Sequence, residues 1–401
     1  MTPRAPLREY RLFLIAGEHS GDALGGKLMA VLNRRLHGRV RYLGVGGESM
    51  QSEGLISQFP LEEVAVMGPL NILKRLPTIL RRVYGTASAA IAGEPDAVVI
   101  IDSPEFTHPI AKRIRKRRPD IPIIDYVSPS VWAWRPGRAK KMRAYVDHVL
   151  ALLPFEPEAH ALLGGPPTTY VGHPLIERLP WINSLDPAPL AERLGLDPRR
   201  PVLVVLPGSR PSEVGRLMEP FGDAMRVLCE RGTIPEVIIP VVPSVRALVE
   251  VGRKGWPLRP HLVEGDTDKF MAFRLAHAAL AASGTVTLEL AVAGTPMVVA
   301  YRVDVVASPF LRRMIKAPTT VLANLVLGEN AFPEFHQEHC TGEKLAFALA
   351  ALLREGPERE AQLAALARIP AAVAIDGPSP SEAAADVVLR YAEQGRARDA
   401  G

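Results

Sequence analysis

The apolar positions of this 401-residue chain follow two periods. Short, mainly apolar runs at Leu12–Ile15, Ala97–Ile101, Ile121–Val127, Val146–Leu153, Val202–Leu206, Val237–Val242, Ala278–Ala282 and Met297–Tyr301 predict strands of parallel sheets, Val202–Leu206 being an uninterrupted one buried on both faces. Between them apolar residues recur at helical spacing, as at Leu24, Leu28, Val31 and Leu32, and again at Val214, Leu217, Met218, Phe221, Met225 and Leu228. Two segments repeat the order strand, Gly turn, helix. One is LFLIAGEHSGDALGGKLMAVLNRRL near the N-terminus, with its turn at 17–21. The other is VLVVLPGSRPSEVGR at 202–216, with Glu213 in the first helical turn and Pro220 expected to kink the helix or delay its start. One such unit opening each half predicts two doubly wound α/β domains that bind ligands at the carboxyl ends of their strands.

Length supports the same division, since 401 residues exceed what one core usually holds together. Val171-Gly172-His173-Pro174 marks the exit of the first domain and Pro180–Pro189 reads as a linker, which gives domains 1–185 and 186–374. From Gly342 the chain is Ala- and Leu-rich helix with a polar break at Asp376–Ser381, and the last helix, about 375–401, is assigned to the first domain. The apolar (47%) and charged (23%) fractions are those of a soluble globular protein. Two cysteines, Cys229 and Cys340, without metal-ligand spacing, suit a reducing cytoplasm. The run at 12–15 meets Gly17, Glu18 and Asp22 at once and is read as a strand, not a signal peptide. The longest stretch free of charge, Ala159–Ile176, holds three prolines and two histidines, so no membrane span is expected.

A net charge of +5, with 48 Lys and Arg in visible clusters, favours anionic partners. The loop Gly208-Ser209 is expected to turn backbone N–H groups outward at a helix start, where a phosphate would sit, with Arg210 adding a bidentate cation; the same residues also make an ordinary βα turn. Ser283, Gly284 and Thr285 form a second such turn, and Glu289 one helical turn later either accepts hydrogen bonds from a ribose diol or complements the helix N-terminus. Gly17, Gly21, Gly25 and Gly26 are out of register with G-x-G-x-x-G, which argues against a dinucleotide. Asp102, just past a buried strand end, is placed either as a general base for a hydroxyl nucleophile or as a helix cap. Two of the four tryptophans, Trp132 and Trp134, stand in a Pro-punctuated loop with Arg135 and Arg138 behind them, suited to lining a cleft or to core packing. Residues 64–84 combine apolar side chains with Lys74, Arg75, Arg81 and Arg82. They read as a pair of amphipathic helices packed on a core or lying at an anionic membrane surface. Further basic clusters occur at Lys112–Arg118 and Leu311–Lys316. Because these basic residues lie beside apolar ones and no recognition module is present, nucleic acid is not an expected partner.

The segments AGEHSGD at 16–22, GVGG at 44–47, DSPEF at 102–106, YVSPSVWAWR at 126–135, LPFE at 153–156, VGHP at 171–174, LPGSR at 206–210 and SGTVTLE at 283–289 occur in this order. Together they resemble the lipid-A-disaccharide synthase family, from about residue 12 to about residue 340. The resemblance implies a GT-B glycosyltransferase, with two Rossmann-like domains facing a cleft and UDP held mainly by the second. It implies inverting transfer of 2,3-diacylglucosamine from UDP-2,3-diacylglucosamine to the 6-hydroxyl of 2,3-diacylglucosamine 1-phosphate (lipid X), giving a β-1,6 disaccharide and UDP. Asp102 then matches the family's general base and Arg210 its UDP-binding arginine. Gly17, Ser20, Gly21, Gly208, Ser209, Ser283, Gly284, Thr285, Glu289 and Asn324 fall in the UDP-sugar set, and Ser128, Trp132, Trp134 and Arg135 on the acceptor side. No metal ion and no cofactor is implied. The family is peripheral at the cytoplasmic face of the inner membrane, and a homodimer is left open. The chain departs from the family pattern at His19, Glu105 and Thr107. Two alternatives stay open at this point: a GT-B enzyme like UDP-N-acetylglucosamine 2-epimerase, and a non-catalytic protein that binds UDP-sugar and lipid.

Overall fold

The apolar runs become the strands of two all-parallel sheets in the computed structural model, which describes residues 9–65, 69–303 and 318–399. The first sheet holds β1 (Tyr10–Ala16), β2 (Val40–Val45), β3 (Ile56–Ser57), β4 (Ala97–Ile101), β5 (Ile123–Tyr126), β6 (His148–Ala151) and β7 (Thr168–Tyr170), in the order β3-β2-β1-β4-β5-β6-β7. The second holds β8 (Val202–Leu206), β9 (Glu236–Pro240), β10 (His261–Val263), β11 (Ala278–Ala282), β12 (Met297–Tyr301) and β13 (Glu334–His336), in the order β10-β9-β8-β11-β12-β13. Strand order reverses between β1 and β4 in one sheet and between β8 and β11 in the other. Those two points are where the connections diverge and leave a crevice at the strand ends.

The helices of the first unit are α1 (His19–Arg35), α2 (Glu48–Ser52), α3 (Pro69–Ala92), α4 (Pro104–Arg117), α5 (Gly137–Met142) and α6 (Glu156–Leu162). Those of the second are α7 (Leu175–Ser184), α8 (Ala188–Leu194), α9 (Pro211–Glu230), α10 (Arg246–Gly252), α11 (Asp266–Leu275), α12 (Val286–Val292), α13 (Leu322–Leu327), α14 (Gly342–Leu352) and α15 (Pro357–Ala372); α16 (Pro380–Asp399) ends the chain. Strand β1 shows why both sheet faces are covered. Leu12, Leu14 and Ala16 enter one core with Leu24, Leu28 and Leu32 of α1, while Phe13 and Ile15 enter another with Val83 and Ala87 of α3 and Ile110 and Ile114 of α4. Each fully buried Leu, Ile, Val or Phe side chain here is worth roughly 1.5–3 kcal/mol. Asp22 of α1 locks two sequence motifs together, because its carboxylate accepts the N–H groups of Gly47 (2.7 Å), Ser49 (3.0 Å) and Met50 (3.1 Å) at the start of α2.

The chain divides into two units, Met1–Pro174 with Ile375–Gly401, and Leu175–Ala374. The passage therefore falls at Pro174, not at residue 185, and Pro180–Pro189 is not a bare linker. Pro180 lies inside α7, which packs within the second unit: Trp181 meets Phe270 edge-on at 5.6 Å and Arg274 donates to the carbonyls of Ile182 (2.9 Å) and Asn183 (2.8 Å). Helix α16 belongs to the first unit, where Ala384, Ala385, Val388 and Ala392 share the core of α1. Arg35 pairs with Glu382 and Asp386, and His148 Nδ1 lies 3.1 Å from the Tyr391 hydroxyl. Two further expectations change. Helix α9 starts at Pro211 and runs on through Pro220, and residues 69–92 form one helix instead of a pair. The Leu311–Lys316 patch and the side chain of Lys74 lie outside the described residues.

Candidate active site

In the first unit, Asp102 stands where β4 ends at the switch point. Backbone φ is +56° at Asp102 and +44° at Ser103, two consecutive non-glycine residues in the left-handed region. Such strain persists only where surrounding structure enforces it. Here the Asp102 N–H donates to the Tyr126 carbonyl (3.0 Å), and the Thr107 hydroxyl donates to the carbonyls of Asp102 (2.9 Å) and Ser103 (3.1 Å). Thr107, a departure from the family pattern, thus ties down the strained turn. The carboxylate is aimed by two donors, the Ser20 hydroxyl to Oδ2 (2.9 Å) and the Ser103 N–H to Oδ1 (2.7 Å). Gly17 and Gly21 make this approach of the β1 turn to the β4 turn feasible. A Cβ on Gly17 would lie 2.5 Å from Ser103 Cβ, and one on Gly21 would lie 3.0 Å from the Ile101 carbonyl oxygen. Gly17, Ser20 and Gly21 are thereby brought together around Asp102.

The YVSPSVWAWR segment forms the loop after β5. Ser128 is buried with its hydroxyl 2.8 Å from His160 Nε2, and the Trp132 indole donates to Glu156 Oε1 (3.1 Å) while meeting Phe155 edge-on at 5.1 Å. Ser128 and Trp132 are therefore spent on the loop's internal network. Trp134, like Trp132, is half-buried, and the exposed Arg135 places its guanidinium 4.2 Å from the centre of the Trp134 ring. Glu105, another departure from the family pattern, pairs with Arg138 at 2.5 Å. His19 opens α1 and is exposed.

Glu156 also accepts the N–H groups of Leu152 (3.1 Å) and Leu153 (3.0 Å), so it joins the end of β6 to the tryptophan loop. Burial outweighs these donors and pushes its carboxyl up to about 7 from an ordinary 4.5. The folded state then holds a proton that the unfolded state releases between those values. Its contribution to stability is full below about pH 4.5 and is lost as pH rises through 7. The buried His148 and His173 imidazoles, lowered to about 4, pull the other way in this window, so by urea unfolding it is the stability of the native protein relative to Glu156→Gln that should fall by roughly 3 kcal/mol across it. An equal slope in both would place the titration elsewhere.

In the second unit, a cavity of about 520 Å³ opens at the β8/β11 switch point. Gly208, Ser209, Arg210, Ser283, Gly284, Thr285 and Glu289 all line it, so the sequence-derived set from both turns converges. Its outer wall is Pro240–Pro243, Val263 and Gly265, apolar surface of the kind a flat ring would cover. One expectation fails in detail. The amides of Ser209 and Arg210 are not free, because Glu213 folds back to accept both with Oε2 (3.1 and 3.3 Å) and takes the Arg210 guanidinium on Oε1 (2.8 Å). Pro211 has no N–H to add. Among the described residues of the two turns, the amides of Gly208, Gly284, Thr285 and Val286 have no protein acceptor. Arg210 is 58% exposed, so its pairing with Glu213 is a weak surface contact that an incoming anion can replace.

Side-chain hydrogen bonds brace this end of the sheet. The Ser283 hydroxyl donates to the Thr320 carbonyl (2.9 Å), and the Thr320 N–H and hydroxyl donate to Glu334 (3.0 and 2.9 Å). Burial opposes ionisation of Glu334, yet His336 at 2.8 Å and the threonine donors hold its carboxyl down at about 2. Asn324, assigned above to UDP-sugar, is 2% exposed, and its amide is spent on the Phe332 backbone: Nδ2 donates to the carbonyl and Oδ1 accepts the N–H, both at 2.9 Å. Buried amides must be satisfied locally, and this one closes the turn after α13 instead of lining the cavity. Sequence reasoning also missed Asp266 and Lys269, cavity residues at the start of α11 for which the only signal was a glycine, Gly265, ending a short apolar run.

Known proteins share this layout. The family model for lipid-A-disaccharide synthetase matches residues 12–374. The lipid-A-disaccharide synthases of Nitrobacter hamburgensis and Rhodospirillum centenum are 54% and 43% identical over 379 and 378 residues; each match covers 94% of this chain, and 95% and 94% of the respective relative. Among solved structures, UDP-GlcNAc 2-epimerase from Neisseria meningitidis bound to UDP-GlcNAc superposes with a TM-score of 0.61 at 13% identity, over 95% of this chain and 98% of that one. Acinetobacter baumannii MurG gives 0.57 at 14%, over 95% and 99%. At such identities these two speak for the fold alone, two Rossmann-like domains of GT-B type. The match along nearly the whole chain, together with an aspartate and a nucleotide-sized cavity at the two switch points, places the chain in the lipid-A-disaccharide synthase family of glycosyltransferases.

Proposed function

We propose that the chain transfers 2,3-diacylglucosamine from UDP-2,3-diacylglucosamine to the 6-hydroxyl of lipid X with inversion, forming a β-1,6 disaccharide 1-phosphate and UDP. The observation that carries this reading is the Asp102 carboxylate, held by Ser20 and Ser103 on a strained turn at a strand end. A carboxylate has four lone-pair positions, and two donors leave it able to accept a third proton. In this reading the acceptor hydroxyl passes its proton to Asp102 as its oxygen bonds to the sugar C1 from the face opposite the nucleotide. The C1–O bond to the diphosphate breaks, and the charge that develops there is met by Arg210 and by the open amides of Gly284–Val286. The second unit's cavity takes the nucleotide, with Glu289 toward the ribose.

Arg210→Ala should raise KM for the sugar nucleotide by about tenfold or more with a smaller fall in kcat. Steady-state kinetics with varied donor check this, and an unchanged KM would remove Arg210 from the site.

A lipid substrate calls for a surface on which the enzyme can meet it, and α3 supplies a candidate. Leu76, Leu80 and Tyr84 recur at four-residue spacing and are exposed, with exposed Arg75 and Arg81 beside them. We read this face as peripheral contact with the anionic cytoplasmic side of the inner membrane. No described helix is long and apolar enough to cross a membrane.

A further inference from the structure

Glu289 does not stand alone in the cavity. Lys269 reaches it from α11, with Nζ 3.1 Å from Oε1 and 3.0 Å from Oε2, so one ammonium grips both carboxylate oxygens. The same Nζ lies 3.2 Å from Asp266 Oδ1, and Arg178 of α7 donates to Asp266 Oδ2 at 2.9 Å. The Lys269 ammonium sits 4.8 Å from the centre of the Phe270 ring. Four charges of alternating sign thus run from the cavity to α7. Lys269 and Glu289 are only 21% and 18% exposed, which places this pair in surroundings less screened than the Arg210 pair.

We propose that Lys269 is a positioning residue for the donor nucleotide, holding the Glu289 carboxylate in one orientation so that it accepts a hydroxyl of the ribose diol. This rests on the reading above that Glu289 meets the ribose. A single cation within 3.1 Å of both oxygens fixes the rotation of the carboxylate and leaves an outer lone pair for a ribose hydroxyl. Asp266, itself anchored by Arg178, keeps the flexible lysine from swinging toward the diphosphate. Lys269 then acts through Glu289 and touches no ligand atom.

The test compares UDP with 2′,3′-dideoxy-UDP, which lacks the diol, by calorimetric titration of the full-length protein. Lys269→Met keeps an unbranched stem against Phe270 and removes the charge. It should weaken UDP by about tenfold while leaving dideoxy-UDP within about twofold, and Lys269→Arg should recover most of the loss. In turnover the same variant should raise KM for the sugar nucleotide with kcat nearly unchanged. Glu289→Gln, measured alongside, must show the same selective loss. If it weakens both ligands equally or neither, the ribose reading of Glu289 fails and the role of Lys269 with it. If Glu289→Gln is selective but Lys269→Met weakens both ligands alike, or neither, only the positioning role is overturned. Should the methionine variant not fold, Lys269→Gln gives the same comparison.

Discussion

Asparagine at position 102 should lower kcat by about 10³-fold while leaving KM for the sugar nucleotide within a few-fold. The substitution is chosen to remove the proton acceptor and little else. Asparagine is isosteric with aspartate and tolerates positive φ better than other non-glycine residues, so φ +56° at this position does not penalise it. Its amide oxygen can still accept the Ser103 N–H or the Ser20 hydroxyl, keeping the β1 and β4 turns together. Thermal unfolding should therefore match the native protein. Alanine would lose both hydrogen bonds as well as the base, and any drop in rate would mix catalysis with folding. A Asp102→Asn enzyme with native kcat would show that the carboxylate serves only as a cap for α4.

The second large effect concerns stability. Gly395 of α16 lies against the backbone at the start of β4, and a Cβ there would fall 2.0 Å from the Asp96 carbonyl oxygen and 3.3 Å from Pro122 Cδ. A backbone carbonyl on one side and a rigid proline ring on the other leave no flexible side chain to move aside. Gly395→Val should push the end of α16 off the sheet and cost about 4 kcal/mol, with urea unfolding as the measurement. The loss reaches beyond the contact itself, because Ala384, Ala385, Val388 and Ala392 close the core over α1. Limited proteolysis should cleave the variant near residue 375 well before the native chain. Native stability with slow cleavage would mean that α16 contributes little to the first unit.

Much of the architecture was legible because buried parallel strands write themselves as unbroken apolar runs. Val202–Leu206, Ala97–Ile101 and Ala278–Ala282 are strands over the same residues in sequence and structure. Turn residues at their ends located both switch points, and so Asp102 and the cavity loops. What escaped depends on three-dimensional neighbours. The proline-rich stretch after Pro174 looked like a linker, but its helix is paid for by tertiary packing of Trp181 on Phe270. Glu213 carries the spacing of an N-terminal capping residue, three positions after Arg210, and that local bond takes the amides a phosphate was expected to find. Asn324 shows the reverse error, a polar residue in a motif whose partner, Phe332, is eight residues away and invisible to pattern. Lys269 finds Glu289 twenty residues on, across two secondary-structure elements, and no periodicity signals it.

In the proposed reaction this chain joins two diacylglucosamine units using a carboxylate base and its own cationic and amide groups. Mass spectrometry of the products after incubation with UDP-2,3-diacylglucosamine and lipid X, in detergent and EDTA, should find a disaccharide 1-phosphate with a matching amount of UDP, and neither with the Asp102→Asn enzyme. Binding of both lipids with no disaccharide formed, or equal product from the Asp102→Asn enzyme, would refute the proposed reaction.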